Sequence, residues 1–175
     1  MKRLLIIFTA LLMFATTMSA GEKLTIRDIT GSKFSAKMVN GMNPISGTDT
    51  YARIEGKKIV SYSFKTGKQV SVLFDADNTI GKKIDGFDSY IFSPDGKRML
   101  IQTKTEKIYR RSYKAEFYIY NIASRRLDPL SDGGPQQVPT WSNDGLQVAF
   151  VRDNNIFLVK LLYDNAEIQV TKDGK

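Results

Sequence analysis

The chain has 175 residues, a formal net charge of +8 at neutral pH, and neither cysteine nor histidine. Without cysteine there are no disulfide staples; without either residue the common zinc sites and every mechanism that needs an imidazole base are excluded. The chain alone therefore supplies no Ser-His-Asp chemistry, and binding or positioning is what its polar residues can do.

Residues 1–20 carry the pattern of a secretory signal peptide: Lys2 and Arg3 precede the uncharged run Leu4 to Phe14, and small or polar residues follow to Ser19 and Ala20. The strongly apolar stretch is well short of the roughly 18–20 residues that span a bilayer, so no stable membrane anchor is expected after cleavage. The expected location is periplasmic or secreted. The positive charge is scattered through turns as lysines such as Lys57, Lys58, Lys68, Lys82, Lys83 and Lys97. That distribution reads as a solvated surface and not as a nucleic-acid patch.

Residues 21–47 form a lead-in, in which Leu24 to Lys37 suits a short helix or irregular chain. From 48 to 175 the pattern is of strands. Tyr51–Ile54, Lys58–Phe64 and Gln69–Phe74 are separated by the turns Glu55-Gly56-Lys57 and Lys65-Thr66-Gly67-Lys68, and read as the last three strands of a four-stranded sheet. A polar loop, Asp75–Asp85, follows. Next come strands at Ser89–Phe92, Arg98–Thr105, Glu116–Asn121 and Arg126–Leu130, then at Gln137–Trp141, Gln147–Arg152, Asn155–Lys160 and Glu167–Thr171.

Two of these stretches repeat one another. Phe92-Ser93-Pro94-Asp95-Gly96 and Trp141-Ser142-Asn143-Asp144-Gly145 each join two apolar runs through an Asp-Gly turn, and the two glycines are 49 residues apart. That period predicts an all-β fold, a partial β-propeller of about three four-stranded antiparallel blades. The apolar runs Phe117–Tyr120 and Ile156–Val159 suit strands buried on both faces between blades. Three blades do not close a ring, so the chain is expected to be the front of a longer protein, with an unclosed edge prone to self-association.

The repeat breaks once. From Gly145 to the strand opening at Ile156 takes 11 residues, whereas from Gly96 to the equivalent Phe117 takes 21. The extra residues surround Tyr109-Arg110-Arg111-Ser112-Tyr113-Lys114. A loop lengthened in one repeat of a rigid scaffold suits binding more than packing. On the residues alone, two readings stand: a solvated basic loop with tyrosines against the blade, or an anion or carbonyl clamp built from a guanidinium fork beside aromatic walls.

The segment from Tyr109 to Asn121, with its aromatic-arginine-basic-Ser-Tyr start and aromatic-rich strand, resembles the second-blade segment of the dipeptidyl peptidase IV family, serine peptidases of the prolyl oligopeptidase type. The likeness extends through Phe92–Gly96 and from Val138–Ser142 to Asn154–Phe157. The resemblance implies an exported exopeptidase that releases N-terminal Xaa-Pro or Xaa-Ala dipeptides. It implies a propeller that gates and orients peptides with free N-termini, an α/β-hydrolase domain C-terminal to it, and a homodimer when intact. By position, Arg110 matches the family arginine that hydrogen-bonds a substrate carbonyl; Arg111 is given no role. The chain carries no catalytic residue of that family: it has no Gly-x-Ser-x-Gly elbow and no His, and the paired glutamates that hold the substrate ammonium belong to a later segment.

No cofactor or metal is expected. Asp75, Asp77 and Asn78 hint at a calcium loop, but the sixth position holds Ile80 and Gly81 comes one place late, so a polar connecting loop is the better reading. Trp141 reads as blade core. The rival in another functional class is a TolB-like propeller without enzymatic activity that binds a protein or peptide; a basic nucleic-acid-binding array ranks third.

Overall fold

The computed structural model describes residues 23–36 and 41–174; the expected signal peptide, 1–20, lies outside them. The chain divides into two units, Met1–Val39 and Asn40–Lys175. In the first, a five-residue helix, α1 (Ile26–Thr30), is closed at its N-terminus by a reciprocal capping box. The Thr25 hydroxyl accepts from the Asp28 N–H, and the Asp28 carboxylate accepts from the Thr25 N–H at 2.9 Å. No helix of the described residues is long and apolar enough to cross a membrane.

The second unit holds three antiparallel sheets. The first contains β1 (Asn43–Pro44), β2 (Thr50–Glu55), β3 (Lys58–Ser63) and β4 (Gln69–Asp75), paired in that order. The strand missing from the sequence reading is therefore Asn43–Pro44, two residues on the sheet edge, where a proline costs no ladder bond. The middle sheet contains β5 (Ile80–Gly81), β6 (Ser89–Phe92), β7 (Arg98–Lys107), β8 (Tyr113–Asn121) and β9 (Arg126–Pro129). The third contains β10 (Gln137–Trp141), β11 (Gln147–Arg152), β12 (Asn155–Lys160) and β13 (Ala166–Gln169). This is the expected three-bladed partial propeller.

One departure lies in the stretch expected to be loop. Ile80 and Gly81 run parallel to β9 and make the middle sheet five-stranded, in the order β5-β9-β8-β7-β6. The Ile80 and Lys82 N–H groups donate to the carbonyls of Arg125 and Leu127 at 2.8 and 2.9 Å. Gly81 permits the approach: its φ is +90°, and a β-carbon there would stand 2.8 Å from the Leu127 carbonyl oxygen.

The two Asp-Gly turns fold alike. In each, the serine N–H bonds across the hairpin, to the carbonyl of Arg98 or Gln147. The aspartate accepts from the serine hydroxyl, at 2.6 Å for Ser93–Asp95 and 2.5 Å for Ser142–Asp144, and from a backbone N–H two residues on. Gly96 and Gly145 both have φ +67°. The serine hydroxyls hold both carboxyls below their ordinary range.

Strand alternation builds two cores on the two faces of the middle sheet. Met99, Ile101, Tyr118 and Tyr120 point to the first sheet and pack with Ala52, Ile59 and Phe74; the Phe74 and Tyr120 rings meet edge to face at 4.8 Å. Leu100, Phe117 and Ile119 point the other way and pack with Val148, Phe150, Phe157 and Val159. Burying each such side chain contributes about 1.5–3 kcal/mol. Burial on both faces therefore holds for β8 as expected but not for β12, where Phe157 and Val159 are buried and Ile156 on the opposite face is 45% exposed. No other sheet of the described residues covers that second face.

Candidate functional site

The break in the repeat is a long hairpin arm between β7 and β8. In the third sheet, Arg152 pairs with Asn155 across a two-residue turn, and Asp153 and Asn154 both take the left-handed conformation that such a turn requires. In the middle sheet, the equivalent pair is Thr103 with Glu116, and residues 104–115 stand where Asp153 and Asn154 do. The net insertion is the ten residues read from the sequence.

The arm leaves the sheet through a bulge. Register shifts by one between Thr103 and Glu106, with Lys104 at φ 50°, and pairing then resumes at Glu106 with Lys114 and Lys107 with Tyr113. Beyond these two rungs, the tip is closed by the Ile108 and Tyr109 N–H groups, which both donate to the Ser112 carbonyl at 2.9 and 3.1 Å. Arg110 and Arg111 sit at this tip, both exposed; Tyr109 beside them is 79% exposed. Tyr113, at the start of β8, is half-buried against the core shared with the third sheet.

Five basic residues and one acidic residue lie between 104 and 115. Lys114 pairs with Glu106 at 3.4 Å, and Lys104 with Glu116 at 2.9 Å. The Lys104 contact, more than the Tyr118 hydroxyl that also donates to Glu116, holds that carboxyl below its ordinary range. Burial, and then the bond to Glu116, pushes the Tyr118 hydroxyl up to about 12. Lys107, Arg110 and Arg111 have no ion pair among the described residues. The tip thus presents guanidinium groups whose donors are uncommitted, on a backbone that is fixed by its own hydrogen bonds. Such a group suits a carboxylate or a peptide carbonyl.

Three features of the root escaped the sequence reading. Thr105, inside the bulge, donates from its N–H and its hydroxyl to Asp88 Oδ2 at 3.0 and 2.6 Å, and its hydroxyl accepts from Gln102 Nε2 at 2.7 Å. On the other strand, Ala115 exchanges both backbone hydrogen bonds with Gln136, at 3.0 and 2.8 Å. The Gln136 side chain, 1% exposed, accepts from the Phe117 N–H at 3.0 Å and donates to the Gly134 carbonyl. Asp88 immediately precedes β6 and Gln136 immediately precedes β10, so the arm is tied to the first strands of two successive blades. Nothing in the local sequence marks either residue.

The other candidates have structural explanations. Asp75 caps a short 3-10 turn, Ala76–Asn78, and is paired with Lys58 at 3.1 Å; Asp77 is paired with Lys57 at 3.0 Å. Trp141 packs half-buried on the core between the middle and third sheets. A cavity of about 480 Å³ is lined by residues that include Asp128, Ser131, Asp132, Asp164 and Glu167 and contains no residue of the arm. Its carboxylates are partly engaged already, Asp128 by Arg126 at 2.8 Å and Glu167 by Arg152 at 2.6 Å.

Residues 93–175 match the family described as the dipeptidyl peptidase IV (DPP IV) N-terminal region. A probable dipeptidyl-aminopeptidase B of Tuber melanosporum is 29% identical over 90% of this chain and 19% of its own length. Prolyl endopeptidase FAP of Bos taurus is 30% identical over 90% of this chain and 20% of its own. Among solved structures, dipeptidyl peptidase 4 of Porphyromonas gingivalis superposes with a TM-score of 0.75 at 34% identity, covering 88% of this chain and 22% of that one. The chain thus spans about a fifth of the length of these relatives.

Proposed function

We propose that this chain, which over residues 93–175 matches the N-terminal region of the dipeptidyl peptidase IV family, is the substrate-orienting part of an exported serine exopeptidase that releases N-terminal Xaa-Pro or Xaa-Ala dipeptides. The observation that carries this reading is the arm of the middle blade, which holds Arg110 on an ordered tip with its donors uncommitted. A guanidinium so placed donates to a backbone carbonyl of a bound peptide and fixes its register. The acyl-transfer chemistry belongs to a serine in a further domain, and the propeller's contribution is positional: it aligns the scissile carbonyl with the nucleophile and so replaces a costly search by a prepaid orientation.

The reading includes export. Cleavage after Ala20 gives a mature protein that starts at Gly21, which N-terminal sequencing of the secreted or periplasmic material tests. The activity is tested with the full-length protein on chromogenic Gly-Pro and Ala-Ala anilides. Release of the intact dipeptide with a free N-terminus required supports the assignment. Failure to cleave, with retained peptide or protein binding, favours the non-enzymatic TolB-like propeller instead.

A further inference from the structure

Resting on the proposed role of Arg110, we infer that Asp88 and Gln136 are positioning residues for the substrate contact: together they set the angle at which the arm leaves the sheet, and hence where the guanidinium stands. A two-stranded hairpin beyond its sheet is marginally stable and free to swing. The bulge at 104–105 worsens this, since it interrupts the β7–β8 ladder at the hinge. The structure compensates on both strands. Asp88 takes the Thr105 N–H released by the bulge, together with the Thr105 hydroxyl. β8, whose last pair with β9 is Tyr118 with Pro129, leaves its own blade's outer strand and continues on Gln136, through Ala115 and Phe117.

Geometry makes these ties matter. Arg110 lies five residues beyond both Thr105 and Ala115, a reach of roughly 15 Å in extended chain. A tilt of about 5° at the root therefore displaces the tip by about 1 Å, and errors of that size cost orders of magnitude when a reacting group must be aligned. Because one tie comes from the arm's own blade and the other from the next, the tip position also reports how those two blades sit together.

The test is a double-mutant cycle in the full-length enzyme, read as kcat/KM for Gly-Pro anilide, with melting temperatures confirming folding. Asp88→Ala is expected to lower kcat/KM about threefold and Gln136→Ala about tenfold with Arg110 present; in the Arg110→Ala background, each changes it less than about twofold. Asp88→Asn, whose amide oxygen still accepts both Thr105 bonds, should restore near wild-type values. Thr105→Val, which removes the hydroxyl from the arm's side, should match Asp88→Ala and serves if a root variant fails to fold. Equal losses with and without Arg110, or no loss at all, overturn the inference while leaving the function intact. An Arg110→Ala enzyme with unchanged kcat/KM overturns the proposed role of Arg110 and this inference with it.

Discussion

The guanidinium of Arg152 lies 4.0 Å from the ring centroid of Phe157, a core residue of the third sheet. The same group bonds Glu167 at 2.6 Å and reaches the Ser131 hydroxyl in the connection that leads to β10. Gly133 in that connection leaves the room, since any side chain there would run into the guanidinium. Burial works to raise the Glu167 carboxyl, but the bonds from Arg152 and Ser131 outweigh it and bring it below its ordinary range.

Arg152→Met should therefore destabilise the protein by about 2–3 kcal/mol. This is less than a fully buried broken pair costs, because Glu167 retains some contact with water. Urea unfolding checks it: the midpoint should fall with the slope unchanged. Glu167→Gln, which keeps the stacking on Phe157, should cost less than half as much.

Arg110→Ala in the full-length enzyme should lower kcat/KM by roughly tenfold to a hundredfold, the effect of losing a charge-assisted hydrogen bond made to the reacting substrate. Steady-state kinetics on a dipeptide anilide measures it, and the melting temperature should not move, because the side chain holds nothing else in place.

Excising residues 104–115 and joining Thr103 to Glu116 through Asp-Asn should recreate the two-residue turn of the third sheet. The expected product retains strand-rich circular dichroism and cooperative unfolding, while dipeptide release falls at least as far as in Arg110→Ala. Loss of folding would mean that the arm is structural.

Two glycines with left-handed backbone should differ in tolerance. Gly96→Ala, with open space around the new methyl, should cost about 1 kcal/mol. Gly81→Ala adds a clash with the Leu127 carbonyl and should cost about 3 kcal/mol, with the excess reflecting loss of the parallel β5–β9 pairing.

Acid should act through the Ser-Asp-Gly turns. Asp95 and Asp144 release their protons more readily in the folded chain than in the unfolded one, where the ordinary value is 3.8. Their contribution is thus complete above that value and is lost as pH falls through the depressed folded values. Measured by urea midpoints, the stability gap between wild type and Ser93→Ala should narrow below pH 3.8; a gap that ignores pH would refute the linkage.

Sheets β6 to β9 and β10 to β13 were legible because their signals are local. Asp-Gly turns set two of the hairpins, and alternation such as Phe117-Tyr118-Ile119-Tyr120 names the faces; Ser89–Phe92 and Gln147–Arg152 fall where the pattern puts them. β1 and β5 were not legible, since a strand of two residues has no periodicity and exists only through a partner distant in sequence. The same reason hid the root of the arm. Arg110 is conspicuous among turn residues, whereas Asp88 and Gln136 look like any polar residue in a connection, and their importance arises only when strands 17 to 21 residues away meet them.

The bulge at Lys104 carries a consequence for how such arms can vary in length. Side chains on a strand alternate in direction, so lengthening both legs by matched residues leaves the tip facing as before, whereas a lone extra residue on one leg turns everything beyond it over. The arm already contains one such odd step. Among sequence variants, then, loop sizes should change in compensated steps, and an uncompensated deletion of a single residue at 104 or 105 would leave the side chains of the tip intact yet aim the guanidinium at the wrong side.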